Sequence, residues 1–383
     1  MSAPRVGLFA VAPERVNGRA LAMLRSLRGA GYRVTLFSTP EGARLAPEGV
    51  EAEACLAVNG QGGQERVRLA QVPDLSGFDV LQVAGRGLFA EVARHAPETA
   101  RLIYDVPCAE GPSAARPGDG IAARGLGWLA GLRTSVGAWR SAPAIDAVVC
   151  PSYVFGEYLQ RELKLGAVPV VPIYPALPLV EAVTPDPTYW GRKGRPAVVV
   201  LGGDFAAAEP AVRGVGRLRD VDLVIVNGHG DWEALERVAS EFPRMAGRLH
   251  RIGVPEDALL GTLVNFRVGL VLPTDTSQQA LYDIPPALFT LVMAGLPVVA
   301  SDLPGIERLV AAHNFGLLAN PGDFEQVADQ VGRTLNDVAA YERLRHNVDV
   351  VRRQRYAWEV QEKRLLALYA QLAGAAVPRR AAV

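Results

Sequence analysis

The chain has 383 residues, more than one hydrophobic core ordinarily supports, and its 40 Lys and Arg are matched by 40 Asp and Glu. That balance leaves no net field for gripping a nucleic acid by counterion release, and 49% apolar with 21% charged residues excludes a disordered chain. Cys55, Cys108 and Cys150 are widely spaced and show no ligand-like spacing with the histidines, so neither a disulfide framework nor a metal site is expected. In chain order, short apolar runs alternate with helical segments, the pattern of parallel sheets covered by helices. Strands are predicted at Val6–Val11, Arg33–Ser38, Asp79–Ala84, Arg101–Asp105, Ala147–Cys150 and Val168–Pro172, with helices such as Gly18–Ala30 and Leu88–Ala96 between them. A stretch from Pro169 to Pro196, with Pro169, Pro172, Pro175, Pro178, Pro185, Pro187 and Pro196, has too many ring-locked residues for a helix or a central strand, and residues 176–196 of it read as the linker.

The pattern restarts at Ala197–Leu201 and continues through Asp222–Asn227, Leu249–Ile252, Val268–Leu272 and Pro297–Ser301. This gives an α/β chain of two Rossmann-like, doubly wound domains, 1–175 and 197–355. A tail over 356–383, in which Tyr356, Leu365, Leu366, Leu368, Tyr369 and Leu372 share an apolar face, is expected to pack back on the first domain. No window is long and apolar enough to span a bilayer, and no targeting segment precedes Val6, so a cytoplasmic location is expected.

Specific motifs lie in the second half. Ala294-Gly-Leu-Pro-Val-Val-Ala-Ser-Asp-Leu-Pro-Gly-Ile-Glu307, followed by Gly316-Leu-Leu and Pro321-Gly-Asp323, resembles the donor-domain segment of family-4-like GT-B glycosyltransferases. Leu223-Val-Ile-Val-Asn-Gly-His-Gly230, Arg251-Ile-Gly253 and Tyr356-Ala-Trp358 are similar to further parts of that family, as, less specifically, are Leu102-Ile-Tyr-Asp105 and Ile145–Ser152. The resemblance implies a GT-B fold with two Rossmann-like domains facing across a cleft. It also implies transfer of a sugar from a nucleotide-diphosphate sugar to a glycan, lipid or small-molecule acceptor, with no metal and no resident cofactor. Retention of anomeric configuration goes with the family.

Glycine turns after strands let backbone N–H groups approach a phosphate. Gly202, Gly203, Gly228, Gly253 and the turn Asp302–Gly305 are therefore candidate donor contacts, together with Asp283, Ile284 and Thr290 in the segment before Ala294. In the first domain Asn17, Gly18 and Arg86 are candidates for the acceptor side, and Asp105 and Glu110 for an acid or base. The segment Arg124–Arg140, with Trp128 and Trp139, suits a peripheral contact with the inner face of a membrane.

Two departures from the family stand out. Where members carry an Arg/Lys pair for the diphosphate, this chain reads Leu201-Gly-Gly-Asp-Phe-Ala-Ala-Ala-Glu-Pro210. Where members carry two glutamates, it has Tyr282 and Thr290. Weak donor affinity is the expected result, with Arg192, Lys193, Arg195, Arg213 and Arg217 as substitute cations. A noncatalytic GT-B partner of another glycosyltransferase, or a glycan-binding module, is the alternative reading. A rival motif, Gly85-Arg-Gly87 after a strand with Asp105 twenty residues after Gly85, has the spacing of a dinucleotide fingerprint and would imply a nicotinamide or flavin enzyme.

Overall fold

The computed structural model describes residues 3–12, 15–59, 66–106, 145–191, 194–203, 205–274 and 280–374. These form two compact units, Met1–Pro175 with Gln361–Val383, and Ala176–Val360.

The first unit is built on a seven-stranded parallel sheet in the order β3-β2-β1-β6-β7-β8-β9. The strands are β1 (Arg5–Phe9), β2 (Arg33–Ser38), β3 (Glu51–Ala54), β6 (Val80–Ala84), β7 (Arg101–Asp105), β8 (Ala147–Cys150) and β9 (Val170–Pro172). An antiparallel pair, β4 (Leu56–Asn59) and β5 (Arg66–Leu69), stands beside it. Helices α1 (Arg15–Gly29), α2 (Pro40–Ala43), α3 (Arg86–His95) and α4 (Tyr153–Glu162) connect the strands. The inner strands are buried along their length, as strands covered by helices on both faces must be, and β8 reads Ala-Val-Val-Cys with every residue buried. Phe9 stacks on Phe37 at 4.4 Å between ring centroids, and Ser152 caps α4 by accepting from the Phe155 N–H at 3.1 Å.

The second unit has a six-stranded parallel sheet in the order β12-β11-β10-β13-β14-β15. Its strands are β10 (Ala197–Leu201), β11 (Asp222–Val226), β12 (Leu249–Ile252), β13 (Val268–Val271), β14 (Val298–Ser301) and β15 (Gly316–Ala319). The helices are α5 (Phe205–Val215), α6 (Trp232–Ser240), α7 (Glu256–Leu263), α8 (Pro286–Met293), α9 (Pro304–His313), α10 (Phe324–Asn336) and α11 (Val338–Val351). A π-helical turn, Arg352–Tyr356, leads into α12 (Trp358–Gly374). One core cluster joins β10, β11 and β13 to α5, α6 and α10 through Val200, Val212, Ile225, Leu235, Leu270 and Val331.

The Pro-rich segment is not a free spacer. The Asp186 N–H donates to the Gly261 carbonyl at 2.8 Å, Asn265 Nδ2 donates to the Asp186 carbonyl at 2.8 Å, and Trp190 stacks on Phe266. The tail divides as well. Tyr356 is buried in the second unit against Phe289 and Phe315, so it does not share its environment with Leu365, Leu368 and Tyr369, which are buried in the first. Among the described residues no helix is long and apolar enough to cross a membrane.

Candidate functional site

In an open parallel sheet the ligand crevice lies beyond the carboxyl ends of the strands, at the point where strand order reverses. In the second unit that point falls between β10 and β13. β10, β11 and β12 end in register, Leu201 beside Val226 and Val226 beside Ile252, so their following turns stand in a row. Gly202 and Gly203 form the first turn with φ of 65° and 85°, values that side chains rarely tolerate. The Gly202 N–H donates to the Val226 carbonyl at 2.8 Å, and the His229 N–H to the Gly203 carbonyl at 3.0 Å. Asn227 locks the second turn to the third, donating to the Val254 carbonyl at 2.8 Å and accepting from the Val254 N–H at 2.7 Å. Among the described residues the N–H groups of Gly203, Gly228 and Gly253 meet no acceptor. They are the kind of backbone donors that receive an anion.

A small pocket opens here, lined by Gly203, Ala208, Gly228, His229, Trp232 and Arg251. Arg251 Nη2 donates to the Gly228 carbonyl at 3.0 Å, and the guanidinium carbon lies 5.9 Å from the centroid of the Trp232 ring. Trp232 is the first residue of α6, whose cap Asp231 accepts from the Ala234 N–H at 2.9 Å. Gly202, Gly203, Gly228 and Gly253 are thus gathered at one edge.

Other sequence-based candidates have different places. Thr290 is 2% exposed inside α8, and its hydroxyl donates back to the Pro286 carbonyl, so it offers no open group to a ligand. Ile284 is buried, and its N–H donates to the Asp283 carboxylate at 2.9 Å. Gly305 is needed for close packing. Its N–H donates to the Leu281 carbonyl at 2.8 Å, and a Cβ there would stand 2.8 Å from the Tyr282 backbone. The α9 N-terminus therefore fastens the Leu281–Asp283 segment rather than presenting that amide to a phosphate. Among the substitute cations, Arg195 pairs with Asp222 at the amino end of β11. Arg213 is neutralised by Glu209 and Glu241, and Arg217 reaches back to the Arg213 carbonyl, both at the far end of α5 from the glycine turns. Arg192, Lys193 and Asp204 lie outside the described residues.

In the first unit the strand order reverses between β1 and β6. Gly18, with φ of 62°, and Asn17 lie in the opening turn of α1, and Arg86 opens α3 after β6. Asp105 ends β7 as expected, but it is 4% exposed and both its oxygens are engaged. Arg19 Nη1 donates to one at 2.8 Å and Gln82 Nε2 to the other at 2.6 Å. Gln82 in turn accepts from the Tyr369 hydroxyl at 2.6 Å, and Arg19 Nε donates to the Ile173 carbonyl at 2.9 Å. Asp105 is thereby the centre of a buried network joining α1, β6, β7 and α12 rather than an exposed acid or base. The same burial removes the acid that a dinucleotide fingerprint needs for a ribose, and the Gly85 N–H is taken by the Asp105 carbonyl. Glu110 and the segment Arg124–Arg140 lie outside the described residues. Arg19, Gln82, Asn227 and Trp232 were not singled out from sequence, and Tyr369 only as part of an apolar face, because each matters through a partner distant along the chain.

Two Rossmann-like units with glycine turns at the carboxyl edge of the second sheet define the fold of the GT-B glycosyltransferases. Residues 204–337 match the family model described as glycosyl transferases group 1. No curated protein matches the sequence. Among solved structures, a glycosyltransferase from Rickettsia africae aligns with a TM-score of 0.64 at 11% identity, over 97% of this chain and 99% of that one. WaaG, a glycosyltransferase involved in lipopolysaccharide biosynthesis, aligns at 0.63 and 11%, over 97% and 100%. Anabaena HepE, in complex with UDP and glucose, aligns at 0.67 and 12%, over 96% and 100%.

Proposed function

We propose that this protein is a glycosyltransferase that moves a sugar from a nucleotide-diphosphate sugar, bound by the second unit, to a glycan, lipid or small-molecule acceptor. The observation that carries this reading is the row of glycine turns after β10, β11 and β12, of which Gly202 and Gly203 immediately precede, and Gly228 and Gly253 fall within, the segment matched to glycosyl transferases group 1. The chemistry asks for stabilisation of the charge that develops on the departing diphosphate. Preorganised N–H donors such as those of Gly203 and Gly228 supply that without rearrangement during the reaction. Supporting it further, Asn227 holds two of the three turns rigidly together, so the donors are positioned before a ligand arrives.

A thermal-shift screen with UDP, GDP and ADP and their sugars tests the proposal. A ligand that binds only the native state at about 100 times its Kd adds about 2.7 kcal/mol of apparent stability. One nucleoside diphosphate should raise the melting temperature, whereas NAD and FAD should not. No shift with any nucleotide sugar, together with stabilisation by NAD, would overturn the reading. Binding without transfer to any acceptor would identify a noncatalytic member of the fold.

A further inference from the structure

A diphosphate held only by backbone amides keeps most of its charge uncompensated, so a cation is expected beside the glycine turns. The first turn brings none, since Leu201–Pro210 contains neither Arg nor Lys. Arg195, Arg213 and Arg217 are paired or turned to the amino edge of the sheet. Arg251 is different. It comes from β12, two strands away from β10, yet it lines the same pocket as Gly203 at the end of β10 and Ala208 in the opening of α5. Both positions lie within the stretch that lacks basic residues.

The orientation of Arg251 is fixed by two contacts, the Gly228 carbonyl at 3.0 Å and the face of Trp232. Among the described residues no carboxylate pairs with it, and its other N–H donors meet no acceptor. Resting on the donor reading above, we propose that Arg251 is the diphosphate-binding cation of this protein. It reaches the glycine turns from the third strand of the sheet in place of a basic residue after the first. Trp232 is its positioning residue, holding the guanidinium plane so that the fork faces the phosphate oxygens.

The full-length chain and the variants Arg251→Gln, Arg251→Lys and Trp232→Leu are compared by calorimetry with UDP, GDP, ADP and the matching nucleosides. For the diphosphate that the natural protein binds, Arg251→Gln should raise Kd about 10- to 100-fold, the effect of losing a hydrogen bond to a charged group. Arg251→Lys should recover part of that loss, and the affinity for the nucleoside should not change. Trp232→Leu should weaken diphosphate binding less than Arg251→Gln does. Arg251 is exposed, and melting curves of the unliganded variants check that the fold is kept. Unchanged diphosphate affinity in Arg251→Gln, or equal loss for diphosphate and nucleoside, would overturn this assignment while leaving the donor reading intact. If the natural protein binds none of the three diphosphates, the donor reading falls and this assignment with it.

Discussion

Replacing Asp105 by asparagine keeps an oxygen for Gln82 but removes the charge that faces Arg19. The two side chains are 3% and 5% exposed and 2.8 Å apart, so neither can turn to water for compensation. In the variant the guanidinium retains the Ile173 carbonyl at 2.9 Å, while its Nη2 has no partner among the described residues even in the natural protein. Stranding one member of a buried pair costs about 3–5 kcal/mol. With a urea dependence of roughly 3 kcal/mol per molar, that lowers an unfolding midpoint by roughly 1–2 M. Urea titration followed by far-ultraviolet circular dichroism measures this. Adding Arg19→Met removes the stranded charge, and the double variant should be clearly more stable than the sum of the two single losses allows. A loss below about 1 kcal/mol for Asp105→Asn, or strict additivity in the double variant, would refute the network as described.

Tyr369→Phe leaves the buried Gln82 carbonyl oxygen without its donor and should cost about 1–3 kcal/mol by the same titration. Gly305→Ala forces a methyl group against the Tyr282 backbone. It should cost about 1–3 kcal/mol and displace the Leu281–Asp283 segment, and a crystal structure showing that segment unmoved would contradict this. Burial pushes both the Cys150 thiol and the Tyr174 phenol up to about 12, so the folded protein keeps protons that the unfolded chain gives up at lower pH. Their contribution to stability is whole below the ordinary thiol value of 9.0 and is lost as pH rises through about 12, which denaturation midpoints measured across that window will report. Mass-resolved alkylation at pH 8 should correspondingly leave Cys150 unmodified until the protein is unfolded.

Most sheet elements were legible because a buried parallel strand is a run of apolar residues. Arg33–Ser38, Arg101–Asp105, Ala147–Cys150, Ala197–Leu201 and Leu249–Ile252 have the same bounds in sequence and structure. Besides the β4–β5 pair, two strands escaped notice because their composition hides them. β3 is Glu-Ala-Glu-Ala with three of four residues exposed at the edge of its sheet, and β15 opens with Gly316, a residue that strands usually avoid. At the site, glycines announced themselves one by one, since a turn after a strand is a local signal. Arg251 did not stand out as a cation, because only sheet order brings β12 to the same pocket as β10. Asp105 misled in the opposite sense. Its position at the end of a strand is that of an acid or base, and only Arg19, 86 residues earlier, and the Gln82–Tyr369 pair reveal that it is enclosed.

The hydrogen bond between Tyr369 and Gln82 spans 287 positions of sequence. At a synthesis rate of roughly 5–20 residues per second, the ribosome reaches Tyr369 roughly 15–60 s after Gln82 has been made. Throughout that interval the growing first unit lacks Leu365, Leu368 and Tyr369, three of the apolar side chains that complete its core. The second unit is one uninterrupted stretch, Ala176–Val360, and has all its parts before the last helix leaves the exit tunnel. Pulse proteolysis of stalled nascent chains should therefore find the second unit resistant while the first is still cut. The unit that the ribosome begins first is the one that it finishes last.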